Sequence, residues 1–364
     1  MIRVLQIVTY MGRGGLETML MNYYRHIDRS KVQFDFLVHR DFEADYDKEI
    51  MKLGGKIYHV SRLVPWSKSY RNELKNFFKT HPEYKIVHVH QDCLSSVALK
   101  CAKECGISVR IAHSHNSNQD KNIKYLFKRY YMKKIPETAT ELFACGKAAG
   151  DWMFGGKFYR IIPNAIDTKK YIYKEDTAKR VKKELGLEKD IIIGHIGRFN
   201  PQKNHEFLID IFKKCFEMNH KVKLMLVGDG ENRKKIEKKV ERLKLQDRVL
   251  FMGVRSDISE LLQAMDVFVF PSLYEGIPVT MMEAQASGLP CIISDNVPDE
   301  CIITKRLVTK MKLDAPVGQW ASYILQQSVQ SRENQMKEIK MAGYDIVTAA
   351  KQLEEFYLKR AEVN

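Results

Sequence analysis

Residues 191–227 read IIIGHIGRFNPQKNHEFLIDIFKKCFEMNHKVKLMLV and contain a complete strand–helix–strand pattern. The stretch begins with an apolar, β-branched run, Ile191–Ile196, and ends with a second such run, Val222–Val227. Between the two runs, Glu206–Phe216 carries one apolar stripe at helical spacing. A strand, a helix and another strand in this order predict two parallel strands joined by a right-handed crossover.

The same alternation continues along the whole chain. Two such series in succession predict an α/β protein with two doubly wound, Rossmann-like domains, residues 1–165 and residues 166–345. Residues 346–364 are predicted to form a C-terminal amphipathic helix that crosses back to the N-terminal domain. In the first half the predicted strands are Ile2–Val8, Gln33–Val38, Lys85–His90, Val109–His113 and Glu141–Cys145, and the predicted helices are Leu16–His26, Tyr70–Thr80 and Leu94–Cys105. In the second half the further predicted strands are Val249–Met252, Val267–Phe270 and Pro290–Ile293.

The composition excludes several classes of protein. Of the 364 residues, 45% are hydrophobic and 10% aromatic, which is enough apolar surface to form a core and excludes general disorder. No apolar run approaches the roughly 18–20 residues that cross a bilayer, so we expect no transmembrane segment. The N-terminal MIRVLQIVTYMGRGG reaches a glycine loop too early for a signal peptide and is interpreted as a core strand.

Seven cysteines are scattered along the chain without a Cys-x-x-Cys pair. An odd, dispersed set predicts buried free thiols rather than a disulfide framework or a metal site. Free thiols are typical of a reducing compartment, so we expect a cytoplasmic protein.

The formal net charge of +15 is unevenly distributed. Residues 1–165 carry 27 Lys and Arg against 16 Asp and Glu, whereas residues 166–364 carry 33 against 29. An excess concentrated in one half predicts that this half meets an anionic partner or surface. Nucleic acid is disfavoured as that partner, because no recognised nucleic-acid-binding module is present and the basic residues are spread among helices.

Two loops that follow predicted strands carry groups suited to phosphate. The first loop, Met11–Glu17, reads MGRGGLE and opens a helix. Its glycines allow positive φ and let the backbone approach a phosphate closely. The alternative is a plain strand-to-helix turn. Residues 197–205 follow Ile191–Ile196 and contain Arg198 and Lys203. These cations suit a diphosphate beyond the carboxyl end of a strand, or else they are two solvated surface charges.

A third loop, residues 271–284, reads PSLYEGIPVTMMEA and follows the predicted strand Val267–Phe270. Pro278 suits the first turn of a helix, and Gly276 allows backbone N–H groups to face a ligand. Glu275 then lies in the loop and Glu283 about one turn into the helix, where both carboxylates can accept hydrogen bonds from sugar hydroxyls. For either residue singly, a helix-capping or surface glutamate is the alternative.

Two pairs of histidines lie at the ends of strands that are predicted to be neighbours. His88 and His90 occur in IVHVH, and His113 and His115 occur in RIAHSHN. A single histidine is more often a satisfied structural residue, but two pairs at adjacent strand ends are expected to line one crevice.

Together these residues resemble the retaining glycosyltransferases of the family 4 type, which have the GT-B fold of two Rossmann-like domains facing across a cleft. The family's Glu-x7-Glu motif corresponds to Glu275 and Glu283 within YEGIPVTMMEAQASGLP. Four further segments match the family: GRFNPQKNHEFLI, GRGGLE, AHSHN and PNAIDTKKY. The match extends in order from about residue 2 to about residue 300. The sequence departs from the pattern where Ala165 replaces a glycine and where Asn296-Val297-Pro298 replaces a double glycine. Within the family, it is most similar to bacterial enzymes of exopolysaccharide or capsule synthesis.

The resemblance implies a role for each candidate residue. Arg198 and Lys203 would hold the pyrophosphate of a nucleotide-sugar donor and stabilise the charge on the departing nucleotide. Glu283 would bind the ribose hydroxyls, and Glu275 the hydroxyls of the transferred sugar. The implied catalytic residues are His115, Arg198, Lys203 and Glu275, with His113 and His90 as alternatives to His115. The further implied donor contacts are Gly14, Gly15, Gly276 and Ile277.

The resemblance also implies the reaction. The donor would be a UDP-sugar and the acceptor a lipid-linked saccharide, with no cofactor and no metal. Attack would occur on the front face of the sugar, and the departing phosphate would accept the proton of the acceptor. A sugar-nucleotide 2-epimerase of the same fold is an alternative, against which the Glu275/Glu283 motif argues. A catalytically inactive partner of another transferase is a further alternative, against which the intact Arg198, Lys203 and Glu283 argue.

Residues 121–134 read KNIKYLFKRYYMKK, with six cations and no acidic residue. Ile123, Leu126, Phe127, Tyr130 and Tyr131 recur at helical spacing and predict one apolar stripe beside basic flanks. Such a stripe can enter the headgroup region of an anionic membrane, which predicts a protein peripheral to the inner face of the cell membrane. The alternative is that the stripe packs on the sheet of its own domain.

Overall fold

Two units make up the chain in the computed structural model, which describes residues 1–117 and 124–362. The first contains residues 1–165 together with the C-terminal helix Ile346–Glu362. The second is Ile166–Asp345. Each is an α/β unit built on a parallel sheet.

The first unit has a seven-stranded sheet, and its apolar strands are almost wholly buried. Strand order is β3-β2-β1-β4-β5-β6-β7, so the direction of winding changes between β1 and β4. The strands are β1 (Ile2–Ile7), β2 (Val32–Val38), β3 (Ile57–His59), β4 (Ile86–Val89), β5 (Val109–Ser114), β6 (Glu141–Ala144) and β7 (Arg160–Ile161). The helices before residue 165 are α1 (Gly15–His26), α2 (Asp47–Lys52), α3 (Lys68–Thr80), α4 (Ser95–Glu104), α5 (Lys124–Lys133), α6 (Ile135–Thr138) and α7 (Lys147–Phe154).

The second unit has a six-stranded sheet of order β10-β9-β8-β11-β12-β13. Its winding changes direction between β8 and β11, which pair in parallel. The strands are β8 (Ile191–Ile196), β9 (Val222–Val227), β10 (Val249–Gly253), β11 (Val267–Phe270), β12 (Cys291–Ser294) and β13 (Val308–Met311). The helices are α8 (Glu175–Glu184), α9 (His205–Met218), α10 (Arg233–Arg242), α11 (Ile258–Ala264), α12 (Val279–Ala286), α13 (Val317–Gln327) and α14 (Met336–Met341), and short 3-10 helices include Thr168–Tyr171 and Pro201–Lys203.

The core of the second unit forms where α9 and α13 pack on the sheet. The stripe predicted on α9 faces this core: Phe212 is fully buried in one apolar cluster with Trp320 of α13, and the partly buried Phe207 packs its ring 5.7 Å from that of Trp320. Burying such aromatic side chains removes a large apolar area from water and dominates the stability of the layer.

The C-terminal helix packs against the first unit. It contacts α1 and β2, and the phenol of Tyr357 is fully buried beside the ring of Phe34, at 5.9 Å between ring centroids. Glu354 of the same helix accepts a hydrogen bond of 2.8 Å from the backbone N–H of Asp28. These contacts make the last helix an integral layer of the first unit.

The predicted fold class of two doubly wound, Rossmann-like domains is confirmed. β8, β9 and β11 have the predicted bounds, because each is mostly apolar and almost wholly buried. All seven cysteines are free, and Cys105 is the one among them that is not fully buried. Among the residues that the structure describes, every helix is too short or too polar to cross a membrane.

Candidate functional site

The candidate site of the second unit lies where β8 and β11 end. Ligands of open α/β sheets bind beyond the carboxyl ends of strands where the winding changes direction. The loop after β8 carries Lys203, and the loop after β11 carries Glu275. Two hydrogen bonds join these loops: the N–H of Leu273 donates to the Gln202 carbonyl at 2.8 Å, and the Gln202 amide donates to the Tyr274 carbonyl at 2.9 Å.

Lys203 and Glu275 form a shielded ion pair. Lys203 Nζ lies 2.6 Å from Glu275 Oε1, with 15% and 5% of the side chains exposed. The ammonium also lies 4.6 Å from the centroid of the Phe270 ring, close enough for a cation–π interaction. The backbone before it is held by Asn200, whose side chain accepts a hydrogen bond of 3.2 Å from the Lys203 N–H. Lys203 is therefore a positioned cation, and the alternative of two solvated surface charges is wrong for it.

Arg198 is exposed and lies against two glycines that follow β9. A Cβ atom at Gly228, whose φ is +131°, would lie 2.2 Å from the carbonyl oxygen of Gly197. A Cβ atom at Gly230 would lie 3.0 Å from Arg198 Cγ. Both glycines let the Arg198 loop approach the neighbouring strand end closely. The motif search did not select them, although a Gly-Asp-Gly directly after an apolar strand is a signal that could have done so.

Glu283 is buried in α12, with 4% of its surface exposed. Its Oε1 accepts a hydrogen bond of 2.6 Å from the Tyr171 hydroxyl, which belongs to the 3-10 helix Thr168–Tyr171. Burial raises the pKa of Glu283 to about 7, and the Tyr171 hydrogen bond opposes this rise. The alternative of a surface glutamate is therefore wrong for Glu283, and also for Glu275, which is 4% exposed. Tyr171 is the last residue of the matching segment PNAIDTKKY, but the sequence analysis assigned it no role.

The residues between the two glutamates lead into the N-terminus of α12. Gly276 and Ile277 are buried, and Pro278 is the N-cap residue of the helix. Asn296, at one of the departures from the family pattern, donates a hydrogen bond of 3.0 Å from its side chain to the Leu273 carbonyl. The departure thus adds a bond that holds the loop after β11.

In the first unit, the glycine loop after β1 has ordinary backbone geometry. Gly14 is the N-cap of α1 with φ −93°, and Gly15 is the first residue of that helix. Neither residue, nor Gly12, has positive φ, so the expectation that these glycines serve left-handed geometry is wrong. A Cβ atom at Gly15 would have no neighbour within 4 Å among the described residues, so the helix N-terminus is sterically open there.

The four histidines stack side by side across β4 and β5. His88 Nε2 lies 3.1 Å from His113 Nδ1, and His90 Nδ1 lies 2.9 Å from His115 Nε2. His88, His90 and His113 are buried, with at most 4% of their surfaces exposed, whereas His115 is partly exposed. The expectation that all four line one crevice is therefore wrong. Three of them belong to the core, and His113 and His90 have no surface to offer a substrate.

His115 is held as a neutral base. Desolvation by the surrounding protein lowers the pKa of His115 to about 3. The amide oxygen of Gln6 accepts a hydrogen bond of 2.9 Å from His90 Nε2, so His90 Nδ1 accepts from His115 Nε2–H. The lone pair of His115 Nδ1 is then the one that can accept a proton or a hydroxyl hydrogen bond.

His88, His90 and His113 are also the cluster with metal-ligand spacing among the described residues. Their candidate ligand atoms lie within 4.8 Å of one another. His88 already uses both ring nitrogens, one toward His113 and one toward the Tyr357 hydroxyl at 2.7 Å. The geometry is that of a hydrogen-bonded stack, in which a metal ion would have to replace existing hydrogen bonds.

Comparisons with known proteins agree along nearly the whole chain. The model of glycosyl transferases group 1 matches residues 177–328, and that of Glycosyltransferase Family 4 matches residues 13–170. The chain is 37% identical over 356 residues to EpsF of Bacillus subtilis (strain 168), whose name describes a glycosyltransferase; the match covers 94% of this chain and 93% of that protein.

Two further proteins extend the comparison. The UDP-Gal:alpha-D-GlcNAc-diphosphoundecaprenol alpha-1,3-galactosyltransferase of Escherichia coli is 28% identical over 235 residues, covering 61% of this chain and 60% of that protein. The crystal structure of Anabaena HepE in complex with UDP and glucose superposes with a TM-score of 0.82 at 18% identity, over 98% of this chain and 99% of that one. At this identity the superposition concerns the fold alone. From these matches, which cover both units in order, it follows that the chain belongs to the glycosyltransferases with the GT-B fold.

Proposed function

We propose that this chain is a retaining, metal-independent glycosyltransferase of the family 4 type. It moves a sugar from a UDP-sugar to a lipid-linked saccharide in bacterial exopolysaccharide or capsule synthesis. The observation that carries the proposal is the shielded Lys203–Glu275 pair, at the point where the winding of the second sheet changes direction, together with the buried Glu283 of the following helix. A cation and two carboxylates with these surroundings match the charges of a nucleotide diphosphate and the hydroxyls of two sugars.

Breaking the anomeric C–O bond leaves negative charge on the diphosphate and positive charge on the sugar ring. Lys203 and Arg198 would hold the diphosphate, and their charge is in place before the bond breaks. When the diphosphate binds, Lys203 can turn from Glu275 toward it, which leaves a Glu275 oxygen able to accept a sugar hydroxyl. Glu283 would accept the ribose hydroxyls. These two cations supply the charge stabilisation that a metal ion gives other transferases, which is the basis for proposing metal independence.

The proposed stereochemistry follows from front-face attack. The acceptor hydroxyl would approach on the side of the departing phosphate, whose oxygen would take the proton, so the anomeric configuration is retained. The proposal assigns Gly14, Gly15 and His115 of the first unit to the donor, on the family resemblance. His115, as a neutral base, would contribute a hydrogen bond rather than a charge.

The donor and acceptor classes have support from the relatives. HepE was crystallised with UDP and glucose, which supports a uridine diphosphate donor. The Escherichia coli relative is named for galactose transfer from UDP-Gal to a diphosphoundecaprenol-linked sugar, which supports a lipid-linked acceptor. A peripheral location on the inner face of the cell membrane would bring the enzyme to such an acceptor.

The test is a donor screen followed by a transfer assay. We expect UDP-sugars to raise the Tm of the purified protein more than GDP-, ADP- or dTDP-sugars do, and labelled sugar from the best donor to enter the lipid extract. Lys203→Met should abolish both effects, whereas the matched control Lys213→Met, in an exposed pair with Glu217, should not. Transfer should persist in EDTA, and the product should keep the anomeric configuration of the donor by NMR. A protein that binds no nucleotide sugar, or that inverts the anomeric centre, would contradict the proposal.

A further inference from the structure

Helix α5 presents large apolar side chains to solvent. Leu126 is 74% exposed, Phe127 59% and Tyr130 54%. Exposed apolar residues are unremarkable singly, but several on one turn of a helix mark a contact surface. The alternative that the predicted stripe packs on the sheet of its own domain is therefore wrong for these three residues. Ile123, the first residue of that stripe, lies outside the described residues, as do Lys121 and Asn122.

The opposite face of α5 is the one that packs on the unit. Met132 Sδ lies 3.7 Å from Cys93 Sγ, next to the start of α4, and Ile135, just beyond the helix, is fully buried. Tyr131 is partly buried and lies toward this inner side, so the five predicted residues do not form a single exposed stripe. Since the inner face anchors the helix, the outer apolar residues are not needed for the core.

The exposed apolar area continues onto the loop before α3. Trp66 is 67% exposed, and its ring lies 6.4 Å from that of Phe127 between centroids. Tryptophan and tyrosine are the side chains enriched where hydrocarbon meets water, because each has an apolar body and a polar atom. The patch thus joins two segments that are far apart in the sequence.

Cations border this patch on both sides. Leu126 and Tyr130, one turn apart, occupy the middle of the outer face, and the exposed Arg129 and Lys133 flank them on one side. On the other side, Lys134 Nζ lies 2.5 Å from the Tyr130 hydroxyl and 4.1 Å from the centroid of its ring. The helix Lys124–Lys133 contains no acidic residue, so every charge that this helix carries is positive.

We propose that this aromatic–basic surface, formed by Trp66, Leu126, Phe127, Arg129, Tyr130, Lys133 and Lys134, docks on an anionic lipid bilayer. The apolar side chains enter the headgroup boundary while the flanking cations meet lipid phosphates. A bilayer fits better than a protein partner, because the charge is of one sign and the long cations can extend around the apolar centre to the surface. The surface lies apart from Lys203, Glu275 and Glu283 in the chain, and the inference does not depend on the identity of the donor or acceptor.

The experiment is sedimentation of the full chain with phosphatidylglycerol vesicles and with phosphatidylcholine vesicles, at low and at high salt. We expect binding to the anionic vesicles only, and loss of that binding at high salt. Leu126→Ser/Tyr130→Ser should lower the partition coefficient at least about tenfold, because two apolar insertions are removed. The matched control is Val329→Ser/Met341→Ser in the second unit, where the two residues are 76% and 79% exposed.

Charge is tested separately. Arg129→Glu/Lys133→Glu should abolish binding to the anionic vesicles, whereas Lys213→Glu/Lys337→Glu, at exposed positions of the second unit, should leave it unchanged. UDP should raise the Tm of every variant as much as it raises the Tm of the wild type. This measurement separates failure of docking from failure of the donor site. The inference is overturned if the wild type sediments equally with both kinds of vesicle. It is also overturned if Leu126→Ser/Tyr130→Ser sediments with the anionic vesicles as well as the wild type does. A second result would also overturn the inference: the wild type elutes as a dimer in size-exclusion chromatography and Leu126→Ser/Tyr130→Ser elutes as a monomer. The surface would then bind a second copy of the chain.

Discussion

Lys203 Nζ and Glu275 Oε1 lie 2.6 Å apart, and protein rather than water surrounds both groups. In such surroundings a charge without a partner is costly, so in the proposed mechanism the donor diphosphate would replace the glutamate as the partner of the lysine. On this proposal the pair would couple donor binding to the stability of the second unit. Removing either residue alone takes the 2.6 Å ion-pair partner from the other.

We expect Lys203→Met to lower transfer at least about a hundredfold, the scale for loss of one preorganised charge contact. It should also lower the free energy of unfolding by about 3–5 kcal/mol, because Glu275 is left buried without its cation. The double variant Lys203→Met/Glu275→Gln should regain most of that stability while staying inactive. Urea unfolding and labelled-sugar transfer measure the two effects, and a double variant no more stable than the single one would contradict the coupling.

Because Glu283 is buried, we expect the protein to lose stability as pH rises. Burial raises its pKa from 4.5 to about 7, so the folded state holds a proton that the unfolded state has already released between these values. The contribution of this proton to the free energy of unfolding is complete below pH 4.5 and is lost as pH rises to about 7. We expect the stability of Glu283→Gln relative to wild type to increase by about 3 kcal/mol across that interval. Parallel pH dependences in urea unfolding would show that Glu283 ionises normally.

Tyr171→Phe removes the hydroxyl that hydrogen-bonds Glu283 and opposes the rise of its pKa. The pKa of Glu283 should then rise further, and the pH dependence of UDP binding should shift to higher pH. Calorimetric titration with UDP across the pH range measures the shift. Tyr323→Phe, at a partly exposed position of α13, is the control and should leave the profile in place.

Gly228→Ala places a Cβ atom within 2.2 Å of the Gly197 carbonyl, at a φ of +131°. The Arg198 loop must move to relieve this contact, so we expect weaker UDP binding together with a lower Tm. Gly318→Ala is the control: its Cβ would meet Lys214 Cε at 3.9 Å, and alanine should raise stability by up to about 1 kcal/mol in α13. UDP affinity unchanged by Gly228→Ala would mean that this loop does not hold the nucleotide.

The histidine stack predicts acid sensitivity of the first unit. Burial holds the pKa of His113 well below 6.5, so below that pH the unfolded state binds a proton that the folded state excludes. Stability should therefore fall as pH decreases from 6.5. His113→Gln, which does not titrate, should reduce that slope by about 1.4 kcal/mol per pH unit. Urea unfolding of the two proteins at several acidic pH values compares the slopes, and equal slopes would contradict the assignment.

The sequence predicted the central strands and the edge strand β10 well, but it did not predict the other edge strands, β3, β7 and β13. β8 and β9 are mostly apolar, with His195 and Lys223 as exceptions, and almost wholly buried, which makes them easy to identify. β3 and β7 are three and two residues long and partly exposed, so no periodicity marks them. α10 was not predicted either, because it is almost entirely charged and buries Ile236 and Val240 alone.

At the candidate site, residue type and position relative to a strand were predictable, but burial and partners were not. The sequence indicated Glu283 but not its contact with Tyr171, which is 112 residues away. On α5, periodicity detected apolar spacing but could not say which face is covered, and Leu126 proves to be on the outer one. Histidine spacing likewise could not separate the enclosed His113 from the partly exposed His115.

The backbone N–H of Ile166 donates to the Tyr344 carbonyl at 2.9 Å, and Ile166 forms a bridge with Asp345, so the second unit begins and ends at one place. In topological terms it is an insertion into the first unit, whose last helix is synthesised only after the insertion is complete. The whole second unit is therefore synthesised before Tyr357, the residue that packs beside Phe34 in the core of the first unit. A stop codon ahead of Ile346 would spare the inserted unit and leave its host unable to close its core.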